Sequence, residues 1–93
     1  MSRRGKDRAA LRAEAHHLRP VVHVGQQGVT DTVRLALDEA LRARELVKVQ
    51  FGRGAPVAVK ESAGDLAALV GAEVIQVIGR TTTLYRPSPE LEQ

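Results

Sequence analysis

The sequence contains no cysteine and no tryptophan, and its only aromatic residues are Phe51 and Tyr85. Without cysteine the chain can form neither disulfides nor thiolate metal sites, so we expect a protein of the reducing cytoplasm. No apolar run approaches the roughly 18 residues that span a membrane, and no apolar segment typical of a secretory signal follows the basic start. With so few aromatics, the chain is a poor candidate for a module that stacks several unpaired bases on exposed rings.

What the sequence does contain is typical of one small globular domain. Hydrophobic residues make up 43% of the 93 residues, which is too much for a disordered chain. The net charge of +3 is uneven: residues 1–19 carry six basic and two acidic side chains, and residues 20–93 carry eight and nine. A basic N-terminus is expected of a segment that meets a polyanion, although a solvated tail that aids solubility would show the same charge.

The polarity of the two ends predicts tails on either side of the domain. We expect a flexible basic N-terminal tail at residues 1–8, a single domain at residues 9–87 and a C-terminal tail at residues 88–93. The first helix should start at Ala9 and end near His17, because the proline that follows favours extended backbone before it. A second helix should follow at Thr30 or Asp31, either of which can cap it by accepting amide N–H bonds.

A third helix is less sharply bounded by the sequence. An apolar ladder at helical spacing predicts a helix over residues 57–70, and Gly71 is a natural stop. Ser62, with Asp65 three residues later, could instead cap a short helix that begins at Ala63. Short β-rich runs complete the pattern, and strands are predicted at residues 21–24, 46–51, 74–78 and 82–85.

The predicted order is therefore α-β-α-β-α-β-β, an α/β fold. The two β-α-β passages imply parallel strand pairs, and a hairpin at Gly79-Arg80-Thr81 adds an antiparallel pair. The sheet should then be mixed and four-stranded. We expect a monomer, since the sequence shows neither heptads nor a large apolar strand edge.

The sequence VVHVGQQGVTDTV, residues 21–33, places two glycines between the first strand and the second helix. At a helix N-terminus, unpaired backbone N–H groups and the positive end of the helix dipole favour a phosphate, and glycine lets the backbone approach it closely. Gln26 and Gln27 add uncharged donors between Gly25 and Gly28. A tight turn whose glycines serve backbone geometry alone explains the same pattern, and the sequence leaves both interpretations open.

Other chemistries lack the residues that they need. The G-x-G-x-x-G and P-loop patterns are absent, and Val29 stands where a P-loop lysine would follow the second glycine. His16 and His17 are adjacent, so on a helix they point about 100° apart and cannot easily share a metal ion. No serine lies in a nucleophile-elbow context. We therefore predict no enzymatic activity, no metal and no cofactor.

Three separated motifs resemble one known family, the YhbY or CRM domain. Residues 11–33 (LRAEAHHLRPVVHVGQQGVTDTV) are similar to its opening, with a helix ending Ala-His-x-Leu-(Lys/Arg)-Pro, a valine strand, GxxG and Thr. Residues 45–51 (ELVKVQF) resemble its second strand, and residues 71–87 (GAEVIQVIGRTTTLYRP) its closing signature. The resemblance covers about residues 8–87, and residues 53–62 match least.

The resemblance implies an RNA-binding domain with a fold similar to the C-terminal domain of bacterial translation initiation factor three. Bacterial single-domain members are associated with precursor large ribosomal subunits, while plant relatives with several copies act in organellar intron splicing. A chain of this size is similar to the bacterial kind. The resemblance also implies that the GxxG loop contacts RNA, which carries over to Gly25, Gln26, Gln27 and Gly28.

From the residues themselves we add five basic side chains to the expected RNA-binding set. Arg12 and Arg19 flank the first helix, Lys48 stands on the polar face of its strand, and Arg80 and Arg86 bracket the last hairpin. We predict that several of them converge around the GxxG loop as phosphate contacts, although each could equally be a solvated surface charge.

The expected function is thus the binding of structured ribosomal RNA during assembly of the large ribosomal subunit. Two functions of other classes stay open. The domain could be a protein-interaction module that docks on a ribosomal protein or an assembly factor through its helical face, or a fragment of an enzyme that binds a small anion.

Overall fold

A computed structural model of the chain describes residues 3, 5–54 and 58–91. The described residues form helices α1 (Arg8–Ala15), α2 (Asp31–Arg44) and α3 (Val59–Val70), strands β1 (Pro20–Val24), β2 (Leu46–Phe51), β3 (Glu73–Ile78) and β4 (Thr81–Tyr85), and a short 3-10 turn (Pro89–Leu91). The predicted order is confirmed, and every bound that can be compared lies within two residues of the prediction. The predicted start of the third helix, at residue 57, lies outside the described residues.

The strands form one mixed sheet in the order β1-β2-β4-β3. Strand β1 pairs with β2 in parallel, and β4 pairs in antiparallel fashion with β2 on one side and β3 on the other. The prediction of two adjacent parallel pairs is therefore wrong for the second β-α-β passage. Four of the five residues of β4 are buried, whereas β3 is largely accessible, so β4 occupies the central position and β3 the edge.

Helices cover the two faces of the sheet unequally. On one face α2 and α3 enclose the larger core, which includes Leu37, Leu66 and Phe51. On the other face α1 stands alone, and its Leu11 and Ala15 pack on a smaller cluster, Leu46, Ile75 and Tyr85. Because α1 is only eight residues long, it covers one end of its face and leaves the rest of the sheet open.

Local chemistry explains where the helices begin and end. The Asp7 carboxylate accepts the Ala10 N–H at 2.8 Å at the start of α1, and the Thr30 hydroxyl accepts the Val33 N–H at 3.2 Å at the start of α2. Helix α3 ends at Gly71, whose φ of +66° suits glycine. The alternative in which Ser62 caps a shorter third helix is wrong, because Ser62 lies buried within α3.

A buried carboxylate, Glu45, joins the ends of the described chain. Its Oε2 accepts the Ser88 N–H at 2.7 Å, and its other oxygen accepts the Arg3 N–H. Arg3 also contacts Glu14, as does Lys6. Burial alone would raise the pKa of Glu14, but the hydrogen bonds and charges of Arg3 and Lys6 lower it overall. The flexibility predicted for residues 1–8 stays a prediction. Within the described residues, no helix is long and apolar enough to cross a membrane.

Candidate nucleic-acid interface

The GxxG turn, residues Gly25–Gly28, connects the end of β1 to the start of α2. The Gly28 N–H donates to the Gly25 carbonyl at 3.0 Å, which closes a β-turn with Gln26 and Gln27 exposed at its tip. Within the described residues, the backbone N–H groups of Gln26 and Gln27 donate no hydrogen bond. An open cavity of about 370 Å³ lies beside the turn and extends to Thr30. The turn thus presents unpaired donors to solvent.

The two glycines of the turn differ in backbone conformation. Gly28 has a φ of +71°, a conformation that disfavours any other residue, so backbone geometry accounts for it. Gly25 lies outside the left-handed region, and a Cβ added there would meet no atom within 4 Å. Packing and backbone geometry therefore leave Gly25 unexplained.

The loop after β2 lies against the GxxG turn. Because β1 and β2 run parallel, the loops that follow them lie at the same edge of the sheet. The Gly52 N–H donates to the Val24 carbonyl at 2.8 Å, and a Cβ on Gly54 would come within 2.8 Å of Gln26 Cγ. The glycine of the second loop is what allows Gln26 to lie so close to it.

Arg80 is held at this same edge by backbone oxygens. It occupies the hairpin turn between β3 and β4, where its Nε donates to the Phe51 carbonyl at 3.1 Å and its Nη2 to the Gly52 carbonyl at 2.6 Å. The residue is nevertheless exposed, so the guanidinium is oriented while its remaining N–H groups face solvent. Of the five predicted cations, Arg80 is the one that the structure brings to the GxxG turn.

Two charged residues at this edge were not among the predicted ligands. Arg53 is exposed in the loop after β2, and Asp31 begins α2 with its side chain 95% exposed, 3.9 Å from the Arg34 Nε. Parallel pairing of the first two strands, which the sequence did predict, is the signal that places Arg53 beside the GxxG turn. Asp31 is the one carboxylate in the described stretch from residue 25 to residue 34, and it opposes an anionic ligand.

Arg86 does not join this group, which corrects the expectation that the cations of the last hairpin converge on the turn. It follows β4 at the end opposite Arg80, about 20 Å away at 3.3 Å per residue. Its guanidinium donates to Asp38 Oδ1 at 2.7 Å and to the Val70 carbonyl at 2.9 Å. Arg86 therefore ties β4 to α2 and α3.

The other predicted cations lie on the α1 side of the sheet. Arg19 and Lys48, together with His17 and Arg44, line a second cavity of about 320 Å³, which we call the cationic cavity. Arg12 is exposed on α1, one turn before His16. Arg44 was not predicted: it ends α2 two residues before β2 begins, but the sequence gives no sign that it lies near Arg19. The basic residues thus form two groups, one at the GxxG edge and one beside the start of β1.

The sequence profile of the CRS1/YhbY (CRM) domain matches residues 4–86. The chain belongs to the CRM domain family. This finding confirms the family that the three sequence motifs resemble. Over 89 residues the chain is 38% identical to Probable RNA-binding protein YqeI of Bacillus subtilis, in an alignment that covers 96% of this chain and 93% of the relative.

An archaeal relative and a solved structure extend the comparison. The chain is 41% identical over 85 residues to Probable RNA-binding protein MJ0652 of Methanocaldococcus jannaschii, in an alignment that covers 89% of this chain and 63% of that longer protein. It matches the solution structure of the hypothetical protein SAV1595 from Staphylococcus aureus, a proposed RNA-binding protein, with a TM-score of 0.79 and 33% identity. That match covers 95% of this chain and 92% of the other. The chain therefore shares its α/β fold with this solved structure.

Proposed function

We propose that this CRM domain binds structured RNA as a monomer through the sheet edge that carries the GxxG turn. The RNA is ribosomal RNA of a large subunit under assembly, in the cytoplasm. The relatives named as RNA-binding proteins support the class of ligand. The observation that carries the proposal is Gly25, which leaves open space in front of the free amides of the turn.

The physical basis is recognition of the RNA backbone. A phosphate oxygen that approaches the turn meets the N–H groups of Gln26 and Gln27 and the positive end of the α2 dipole. Arg80, already oriented by its bonds to backbone carbonyls, supplies a guanidinium beside it, and Arg53 adds a second positive charge. Contacts of this kind fix the position of the RNA and carry little sequence information.

Docking on a ribosomal protein or an assembly factor has weaker support. The helical face exposes Leu35 and Leu69, each 57% accessible. Single exposed leucines are common on protein surfaces and do not indicate an interface by themselves. RNA binding is therefore the function that the geometry favours.

Gly25→Ala tests the proposal without disturbing the fold, because the added Cβ would stand in open space. We expect a melting temperature close to that of the wild type and RNA affinity about tenfold weaker, or 1.4 kcal/mol. Gly64→Ala is the matched control: Gly64 is exposed in α3 and its Cβ would also meet nothing, so RNA binding should be unchanged. Wild-type affinity in Gly25→Ala would show that the turn serves geometry alone.

Two further measurements examine the ligand itself. If about five phosphates are neutralised, affinity should fall roughly 10²-fold between 50 and 200 mM salt, and a flat dependence would contradict backbone recognition. Sequencing of RNA crosslinked to the protein in cells should recover large-subunit ribosomal RNA. Recovery of unrelated transcripts alone would refute the ribosomal assignment.

A further inference from the structure

Two rows of side chains remain uncovered on the sheet face that carries α1. Leu46 and Tyr85 pair across β2 and β4 beneath α1, and no helix of the described residues lies above the next rows toward the GxxG edge. We call these two rows the open sheet face. They comprise Pro20, Lys48, Thr83 and Gln76 in one row and His23, Gln50, Thr81 and Ile78 in the next.

The open sheet face holds no carboxylate, although acidic residues are common elsewhere in the chain. Its side chains are two hydroxyls, two amides, a histidine, a lysine, a proline and a largely exposed isoleucine, Ile78. A cavity of about 240 Å³ opens here, with Thr83 as its buried floor, Gln76 and Lys48 at its sides and His16 of α1 at its rim. Drug-sized ligands occupy cavities of about 300–1,000 Å³, so this one suits a single flat ring with polar edges.

The cationic cavity adjoins this pocket. Lys48 lines both, and His16 and Pro20 of the pocket stand on either side of His17 and Arg19 of the cationic cavity in the chain. Within the described residues, the side chains of Arg19, Arg44 and Lys48 form no ion pair. Three unpaired cations around one cavity, with no carboxylate in its lining, complement an anion.

We propose that these two cavities together receive one unpaired nucleotide of the RNA. The base enters the pocket on the open sheet face, its phosphate lies on Arg19 and Arg44, and Lys48 stands between them. This inference rests on the proposed RNA binding and adds a second subsite to it. It assigns a role to Arg44 and to the polar residues of β3 and β4.

Recognition at this subsite differs from stacking. The lining of the pocket holds no Phe, Tyr or Trp, and its one ring is the imidazole of His16 at the rim. The base is therefore read by hydrogen bonds from the Gln76 amide and the Lys48 ammonium to its edge, while Ile78 contacts its face. Hydrogen bonds to a base edge distinguish one base from another, whereas the amides of the GxxG turn do not. The subsite therefore supplies base preference to a domain whose other contacts are to phosphates.

The two sites lie along one strand edge. Strand β1 runs from Pro20, at the pocket, to Val24, directly before the GxxG turn. Five residues at about 3.3 Å each separate the sites by about 16 Å. Among the described strands β1 pairs with β2 alone, so one RNA strand can follow the other edge of β1 from the pocket to the turn.

The experiment measures binding of four short RNA hairpins that differ only in one unpaired loop nucleotide, A, C, G or U. We expect wild-type protein to bind one of them about tenfold more tightly than another. Gln76→Ala should reduce that ratio to near one with a similar salt dependence. The fold should survive, because Gln76 bonds Thr82 through its backbone oxygen.

Arg44→Gln should weaken the binding of all four hairpins alike. The slope of log affinity against log salt concentration should decrease in magnitude by about 0.7, as for one lost phosphate contact. Arg42→Gln is the matched control, since Arg42 lies on the same helix but pairs with Asp38 and is not part of the cavity. Arg42→Gln should change neither the affinity for the hairpins nor the salt slope.

The outcomes separate this inference from the proposed function. If wild-type protein binds none of the hairpins, both the proposed RNA binding and the nucleotide subsite are refuted. If Gly25→Ala weakens binding while Gln76→Ala and Arg44→Gln behave as wild type, the nucleotide subsite is refuted and the GxxG site stands. Equal affinity of the wild type for all four hairpins would also overturn base recognition.

Discussion

The guanidinium of Arg86 donates to Asp38 Oδ1 at 2.7 Å and to the Asp38 carbonyl at 3.1 Å, across 48 residues of chain. A third bond reaches the Val70 carbonyl at 2.9 Å. The planar fork thus links the end of β4 to the middle of α2 and the end of α3, with only 20% of the Arg86 side chain exposed. An arginine with this set of partners stabilises the fold.

The first prediction concerns this arginine. Arg86→Ala should lower the free energy of unfolding in urea by about 2–3 kcal/mol, because three hydrogen bonds to partly buried acceptors are lost. Arg86→Lys should recover little of that loss, since an ammonium cannot match the fork. RNA affinity of the folded variants should stay within about twofold of the wild type. A stable Arg86→Ala protein that no longer binds RNA would contradict the structural role.

The second prediction is that the stability of the fold decreases at low pH because Asp38 becomes protonated. The hydrogen bond from Arg86 lowers the pKa of Asp38, against burial, which raises it, and the charges of Arg42 and Arg34 lower it further. The pKa of Asp38 in the folded protein lies below the value of about 3.9 in the unfolded chain. The ionised carboxylate therefore contributes its full stabilisation of the fold above about pH 4. Its contribution is lost as pH falls through the folded pKa.

Asp38→Asn is the variant that measures this contribution. It should be about 1 kcal/mol less stable than the wild type at pH 7, because a charged hydrogen bond becomes a neutral one. The difference between the two proteins should narrow below about pH 4 in denaturation curves. A constant difference from pH 7 down to pH 2 would show that the ionised carboxylate contributes nothing.

The third prediction concerns Glu45, which is fully buried and has a φ of +66°. The left-handed conformation is unfavourable for glutamate, and its carboxylate bonds to Ser88 and Arg3 compensate. Glu45→Gln should cost about 2 kcal/mol through loss of the charged acceptor. Glu45→Gly relieves the backbone strain and should still be less stable than the wild type. A glycine variant more stable than the wild type would mean that the carboxylate adds little.

The fourth prediction uses the carboxylate beside the GxxG turn. Asp31→Asn removes a negative charge next to the proposed phosphate position and should raise RNA affinity about threefold at low salt, an effect that added salt screens. It should also cost about 0.3–1 kcal/mol of stability, because Asp31 favours the N-terminus of α2. Glu39→Gln, farther along the same helix, is the control and should leave affinity unchanged. Unchanged affinity in Asp31→Asn would place the RNA elsewhere.

The sequence alone determined the elements of this protein. The bounds of β2, the cap of α2 at Thr30 and the stop of α3 at Gly71 follow from alternation, side-chain acceptors and backbone freedom within a few residues. The GxxG turn could be located for the same reason. These features are local, so a short stretch of sequence contains all that decides them.

Tertiary structure decided which elements and which charges meet. The position of β4 between β2 and β3, the pairing of Arg86 with Asp38 and the shared cavity of Arg19 and Arg44 all join residues far apart in the chain. An apolar pattern specifies that a face is buried but not which neighbour buries it, and a charge in a sequence does not name its partner. Those choices depend on how the whole core packs, which is why the predicted cations separated: Arg86 ties elements of the fold together, Arg80 lies at the GxxG edge, and the others lie on the α1 side of the sheet.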